Sequence, residues 1–184
     1  MSSIDNKYYI QALDSFQFSL VETVDALTYS LSYNPDHAAS HCLMGRIFME
    51  QLEEYEPARE HFQSALNIDV NNVNVYKWYS LLLIKLQEFN TAEALIKHSF
   101  TVKGIDKSAM LQRQALLAES RNDFIEAKRL LKESIIASFL NEHIEFLRSE
   151  LHRVKNKLGK PKKKHKSDKA EVAPTDKEQS KKTT

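Results

Sequence analysis

Aromatic, small and large apolar positions recur in one register along residues 20–137. An aromatic residue, an alanine three positions on, a large apolar residue four further and a small residue three beyond that stand at Tyr55/Ala58/Phe62/Ala65, Phe89/Ala92/Ile96/Ser99 and Phe124/Ala127/Leu131/Ser134. A weaker copy reads Leu20/Thr23/Leu27/Ser30. Spacings of three and four put each set on one face of a helix. The three alanines are 34 and 35 residues apart, so the pattern is an internal repeat.

Before each of these helices lies a second element with its own small residue: His41/Met44/Gly45/Phe48, Tyr76/Tyr79/Ser80/Leu83 and Leu111/Gln114/Ala115/Ala118. Each unit therefore reads as two antiparallel helices. The small residues let the pair approach closely, and the large ones fill the space between successive units. A unit alone leaves an apolar face bare, and stacking covers it. The pattern predicts an all-α helix-turn-helix solenoid of three clear repeats and one degenerate N-terminal repeat. In that first copy Tyr8, Tyr9, Leu13 and Phe16 form either a true first helix or a divergent cap. The copy at 38–70 has one extra residue between its helices, which predicts a bulged turn near Gln51 to Glu56.

From Asn141 the apolar residues Ile144, Leu147, Leu151, Val154 and Leu158 keep helical spacing, with Glu142 and Glu145 in the first turn and Lys155 and Lys157 in the last. Those charges complement the helix dipole, and Gly159 and Pro161 supply stop signals. This predicts a capping helix over about 141–158. A short coiled-coil dimer seam is the other use of the same stripe, so the chain is expected as a monomer or as a dimer through this helix. Residues 1–158 then form the solenoid domain. Residues 159–184, rich in lysine and poor in apolar side chains, are expected to stay disordered.

Composition supports helix: only three glycines and four prolines interrupt the 184 residues. The net charge of +1 hides a division. Residues 1–151 carry 14 Lys+Arg against 21 Asp+Glu, a net of −7, and residues 152–184 carry 12 against 4, a net of +8. One cysteine, Cys42, rules out an intramolecular disulfide framework and fits a reducing compartment. The N-terminal residues lack the basic and apolar regions of a secretory signal, and no run reaches the ~18 apolar residues of a membrane span. A cytoplasmic protein is expected.

The repeat resembles the tetratricopeptide (TPR) family, whose unit of ~34 residues carries W-x-x-L-G-x-x-Y, then A-x-x-x-F, then P. Gly45, Phe48, Ala58, Phe62 and Ala65 match, and Asn34-Pro35-Asp36 supplies a proline boundary. The resemblance spans residues from about 4 to 137. His41 replaces the tryptophan, Val70 the closing proline and Gln114 an apolar residue.

The resemblance implies a non-enzymatic scaffold or adaptor that binds a partner peptide or helix in the concave groove lined by the first helix of each unit. The groove positions carried across are Cys42, Arg46 and Met49, then Asn74, Lys77, Leu81 and Lys85, then Ala109, Gln112, Leu116 and Glu119. Arg46, Lys77 and Lys85 would place positive charge opposite carboxylates of a partner. The asparagine-rich clamp by which some family members hold chaperone C-termini is not reproduced, because Arg46 and Leu81 stand where it needs asparagine.

Two other readings come from different features. Lys160, Lys162, Lys163, Lys164 and Lys166 form a basic tail suited to weak, salt-sensitive, sequence-independent contact with nucleic acid, as in a ribosome-associated factor. The size and layout also resemble small TPR secretion chaperones. His37, His41 and Cys42 are the one set of metal-ligating side chains at helical spacing, but they belong to a unit boundary, a packing position and the groove. No metal or cofactor is expected. Phosphate-binding glycine loops and nucleophile elbows are absent from the sequence, so no enzyme is expected.

Overall fold

The computed structural model of the protein describes residues 4–159. Helices alternate with short turns: α1 Ile4–Ser15, α2 Leu20–Tyr33, α3 Ala38–Ile47, α4 Tyr55–Ile68, α5 Val73–Lys85, α6 Phe89–Ser99, α7 Lys107–Ser120, α8 Phe124–Ala137 and α9 Asn141–Leu158. They pack as four consecutive pairs, α1/α2, α3/α4, α5/α6 and α7/α8, with α9 laid on α8. Contacts of α3 with α5 and of α5 with α7 stack the pairs into a solenoid. Among the described residues there is no strand, and no helix is long and apolar enough to cross a membrane.

The small positions of the repeat are where helices meet. Ala58, Ala65, Ala92, Ala127, Ser30, Ser80, Ser99 and Ser134 have no exposed surface. The serines satisfy their buried hydroxyls locally or across the interface, as burial requires. Ser134 Oγ donates to the Ser108 carbonyl at 2.8 Å, and Ser108 Oγ to the Ser134 carbonyl at 2.8 Å. Gly45 shows why a small residue is needed: a Cβ there would stand 3.0 Å from the buried Phe62 ring and 3.1 Å from the Ala58 carbonyl oxygen.

The degenerate first copy is a complete helix pair. Ala12 of α1 is buried with Ala26 and Leu27 of α2, and Tyr9 and Phe16 pack against that cluster. Helix starts are capped by side chains that accept backbone N–H groups: Ser19 from Glu22, His37 from Ser40, Asn72 from Asn74, Asp106 from Ala109 and Asp123 from Glu126.

The turn inside each clear unit has a shared geometry. In the second and third clear units, Glu88 N donates to the Leu83 carbonyl and Asp123 N to the Ala118 carbonyl, each at 2.9 Å, with Gln87 and Asn122 left-handed at φ 60° and 63°. In the unit at 38–70 the matching bond runs from Glu54 N to the Phe48 carbonyl, one residue longer. The extra residue is absorbed by a π-helical turn over Phe48–Leu52, which ends at left-handed Glu53, φ 56°. The expected bulge is therefore present, and the register of α4 is undisturbed.

Candidate functional site

The first helices of the units, α3, α5 and α7, form one wall of a groove to which α1 adds Tyr9 and Leu13. Three hollows follow one another along it. The first, about 240 Å³, is lined by Tyr9, Cys42, Arg46, Asn74, Lys77 and Trp78 among others. The second, about 140 Å³, is bounded by Asn74, Lys77, Ile105, Asp106 and Met110. The third, about 700 Å³, runs from Lys77 and Ile105 to Phe139, Leu140 and His143. Lys77 borders all three, so a cation stands where the hollows adjoin.

The cations differ in their commitments. Arg46 is built into the wall: its guanidinium lies 4.4 Å from the centre of the Phe16 ring and 4.0 Å from that of Trp78, while its Nε donates to Glu50 at 2.7 Å. Lys77 has its Nζ 4.9 Å from the Trp78 ring centre and forms no ion pair among the described residues. Burial first, then the charges of Arg113 and Arg46, push its ammonium below the ordinary lysine range. Arg113 is 7% exposed and its Nε donates to the Lys77 carbonyl at 3.0 Å. Cys42 lies at the floor, and burial pushes its thiol up to about 12, so it is an inert packing group.

Neither a protein-family model nor a curated protein matches the chain. Solved structures do. PilW, a widely conserved type IV pilus biogenesis factor, superposes with a TM-score of 0.77 over 86% of this chain and 72% of its own, at 17% identity. PilF of Pseudomonas aeruginosa gives 0.70 over 84% and 70%, at 18% identity. TTC0263, a thermophilic TPR protein of Thermus thermophilus, gives 0.69 over 83% and 81%, at 14% identity. The chain has the tetratricopeptide-repeat fold.

Of the groove positions carried over from the family, Cys42, Arg46, Asn74, Lys77 and Ala109 line the first two hollows. Other expected groove positions go elsewhere. Met49 is 1% exposed and packs in the core, within the π-helical turn. Glu119 is 8% exposed and is taken by α9: it accepts from both Arg153 terminal nitrogens and from Lys157 Nζ at 2.6 Å. Gln112 and Leu116 line a narrow cleft with Glu119 and Glu150 of α9. Leu81 packs against the core, and Lys85 is exposed, 5.9 Å from the Tyr55 ring centre and away from the three hollows.

The TPR pattern alone misses Phe16, Trp78, Arg113, Phe139 and Leu140. Trp78 adjoins Lys77 in sequence, and Arg113 adjoins Gln112, so both lie one position from a groove assignment. Phe139 and Leu140 belong to a turn and carry no repeat signal. His37 bonds Ser40 and Asn6, His41 bonds His61 and the Pro35 carbonyl, and Cys42 is buried apart from them. The basic residues Lys160, Lys162, Lys163, Lys164 and Lys166 lie outside the described residues.

Proposed function

We propose that the chain is a protein-interaction scaffold whose TPR groove, from Tyr9 to His143, takes a helical or extended segment of a partner protein. The observation that carries this reading is the adjacency of the three hollows at Lys77, polar groups lining the first and mostly apolar walls the third. That composition is the usual one of a binding cleft. The wall helices are anchored by fully buried small residues, so the groove is preorganised and a partner meets a low ordering cost. A reducing, cytoplasmic setting forms part of the proposal and rests on the single cysteine, whose thiol is buried.

Photo-crosslinking in native, nuclease-treated lysate tests it. A photoreactive residue replacing exposed Asn74, in the groove, is expected to capture a discrete protein. The same residue at exposed Glu60, on α4, is expected to capture none, and Lys77→Glu is expected to reduce the Asn74 adduct. Capture that instead disappears with nuclease, and with glutamine at Lys160, Lys162, Lys163, Lys164 and Lys166, would replace the scaffold with a nucleic-acid-associated factor. A single secreted client as the crosslinked species would select the secretion-chaperone form of the scaffold.

A further inference from the structure

Seven arginines fall among the described residues, and six of them pair with carboxylates: Arg46 with Glu50, Arg59 with Glu56 and Glu88, Arg121 with Glu93, Arg129 with Glu126 and Glu133, Arg148 with Glu145, and Arg153 with Glu119 and Glu150. The exception is Arg113, which is also the buried one. Buried charges are ordinarily paired, because leaving water without a counter-charge is costly. Arg113 spends its Nε on the Lys77 carbonyl, and among the described residues no ion pair forms at either side chain. The nearby acids are already committed. Glu50 pairs with Arg46, and the Asp106 carboxylate caps α7 by accepting from Ala109 N at 3.0 Å. The middle of the groove thus holds a surplus of positive charge in a place poorly screened by solvent.

Beside it the third hollow is apolar. Phe139 is 97% exposed and Leu140 70%, and they wall that hollow together with Ile105 and Ala137. The large residues at the repeat positions close the interfaces between units, whereas these two stand open to solvent at the rim of a cleft. Lys77 reaches the same hollow, so the charged and apolar features are adjacent parts of one cleft.

We infer that the segment seated in the groove carries an acidic side chain close in sequence to a large apolar one, with its carboxylate at Lys77, backed by Arg113, and its apolar side chain between Ile105, Phe139 and Leu140. The inference rests on the groove reading above and gives that partner its chemistry. The carboxylate supplies the direct ion pair that Lys77 and Arg113 lack among the described residues, adding to the longer-range attraction of Asp106 and Glu50. The apolar neighbour covers Phe139 and Leu140, and so fixes the direction in which the segment lies.

The test uses the full chain and a phage-displayed library of random dodecapeptides. The expected result is one enriched family with Asp or Glu at a fixed spacing from Phe, Leu, Ile or Met. Lys77→Glu should weaken those peptides by about ten-fold, which corresponds to about 1.4 kcal/mol. Selection on that variant should place Lys or Arg where the acid had been. Phe139→Asp should erase the apolar preference and leave the acidic one. Both positions lie outside the core, and far-ultraviolet circular dichroism checks that the variants are folded. Peptides that need Phe139 but show no acid, or keep the acid on Lys77→Glu, overturn this inference and leave the groove reading standing. Peptides indifferent to both substitutions, or no enriched family at all, overturn the groove reading as well.

Discussion

His41 occupies the position where the repeat motif carries tryptophan, and its ring meets another imidazole. The Nδ1 atoms of His41 and His61 are 2.9 Å apart, and His41 Nε2 lies 2.9 Å from the Pro35 carbonyl oxygen. A carbonyl only accepts, so His41 Nε2 carries a proton; with His41 neutral, its Nδ1 accepts and His61 Nδ1–H donates. Protonating His61 would bring a charge into this packed pair, whose second ring is stacked under Phe48 at 5.5 Å. Burial first, then the charge of His41, pulls the His61 pKa down to about 4. The unfolded chain has an ordinary histidine near ~6.5 and binds the extra proton first as pH falls. The pair's contribution is therefore complete above about pH 6.5 and is lost progressively as pH drops toward 4. Once solvent screening of the part-exposed ring is allowed for, the loss is on the order of 2 kcal/mol in all. Urea unfolding at pH 7 and pH 5 should show the loss in the natural chain and a smaller one in His61→Gln. Equal pH slopes would mean that His61 titrates normally in the fold.

At the scale of elements, the three intra-unit turns place Glu53, Gln87 and Asn122 in left-handed backbone, one per clear repeat. Such a conformation costs a residue with a Cβ about 1–2 kcal/mol, least for asparagine, and nothing for glycine. Gln87→Gly is thus expected to stabilise the chain by about 0.5–1 kcal/mol after the greater freedom of glycine when unfolded is subtracted, and to raise the melting temperature by about 1–4 °C. Asn122→Gly should gain less. Glycine at exposed Glu60, within α4, should instead lower it, which separates turn relief from a general effect. These turns also show what the sequence makes legible. The 34- and 35-residue steps locate the three clear helix pairs and the second helix of the first, and the odd residue between Gly45 and Ala58 locates the bulge. Spacing does not reveal that the extra residue winds as a π-turn, or that Met49, a groove position by helical phase, belongs to the core. Arg46 and Lys77 are legible from the same phase, whereas the ring sandwich around Arg46 and the missing ion pair of Arg113 depend on contacts between units.

For the whole molecule, the question is what closes the C-terminal end of the array. The stripe of α9 admits two uses, a cap on the last unit or a seam between two chains, and the structure employs it as a cap. Leu147 and Val154 are fully buried and Leu151 nearly so, packed with Leu130, Leu131 and Ala127 of α8 and Ala115 of α7. Glu119 fastens the other side through Arg153 and Lys157. Burying three such side chains contributes roughly 5–9 kcal/mol as an upper bound, comparable with the roughly 5–15 kcal/mol that holds an ordinary domain together. Leu147→Asp should therefore lower the melting temperature by on the order of 10 °C. Phe146→Asp, at a half-exposed position one residue away on the same helix, should change stability by no more than about 0.5 kcal/mol. The two uses of the stripe also differ in mass action. A cap gives a melting temperature independent of protein concentration, whereas a seam between chains gives one that rises with it. Melts of the natural chain and of Leu147→Asp across a hundred-fold range of concentration separate them. A large Leu147 effect that is the same at every concentration identifies α9 as the lid of its own solenoid, while a concentration-dependent melt abolished by Leu147→Asp would reassign the stripe to a dimer.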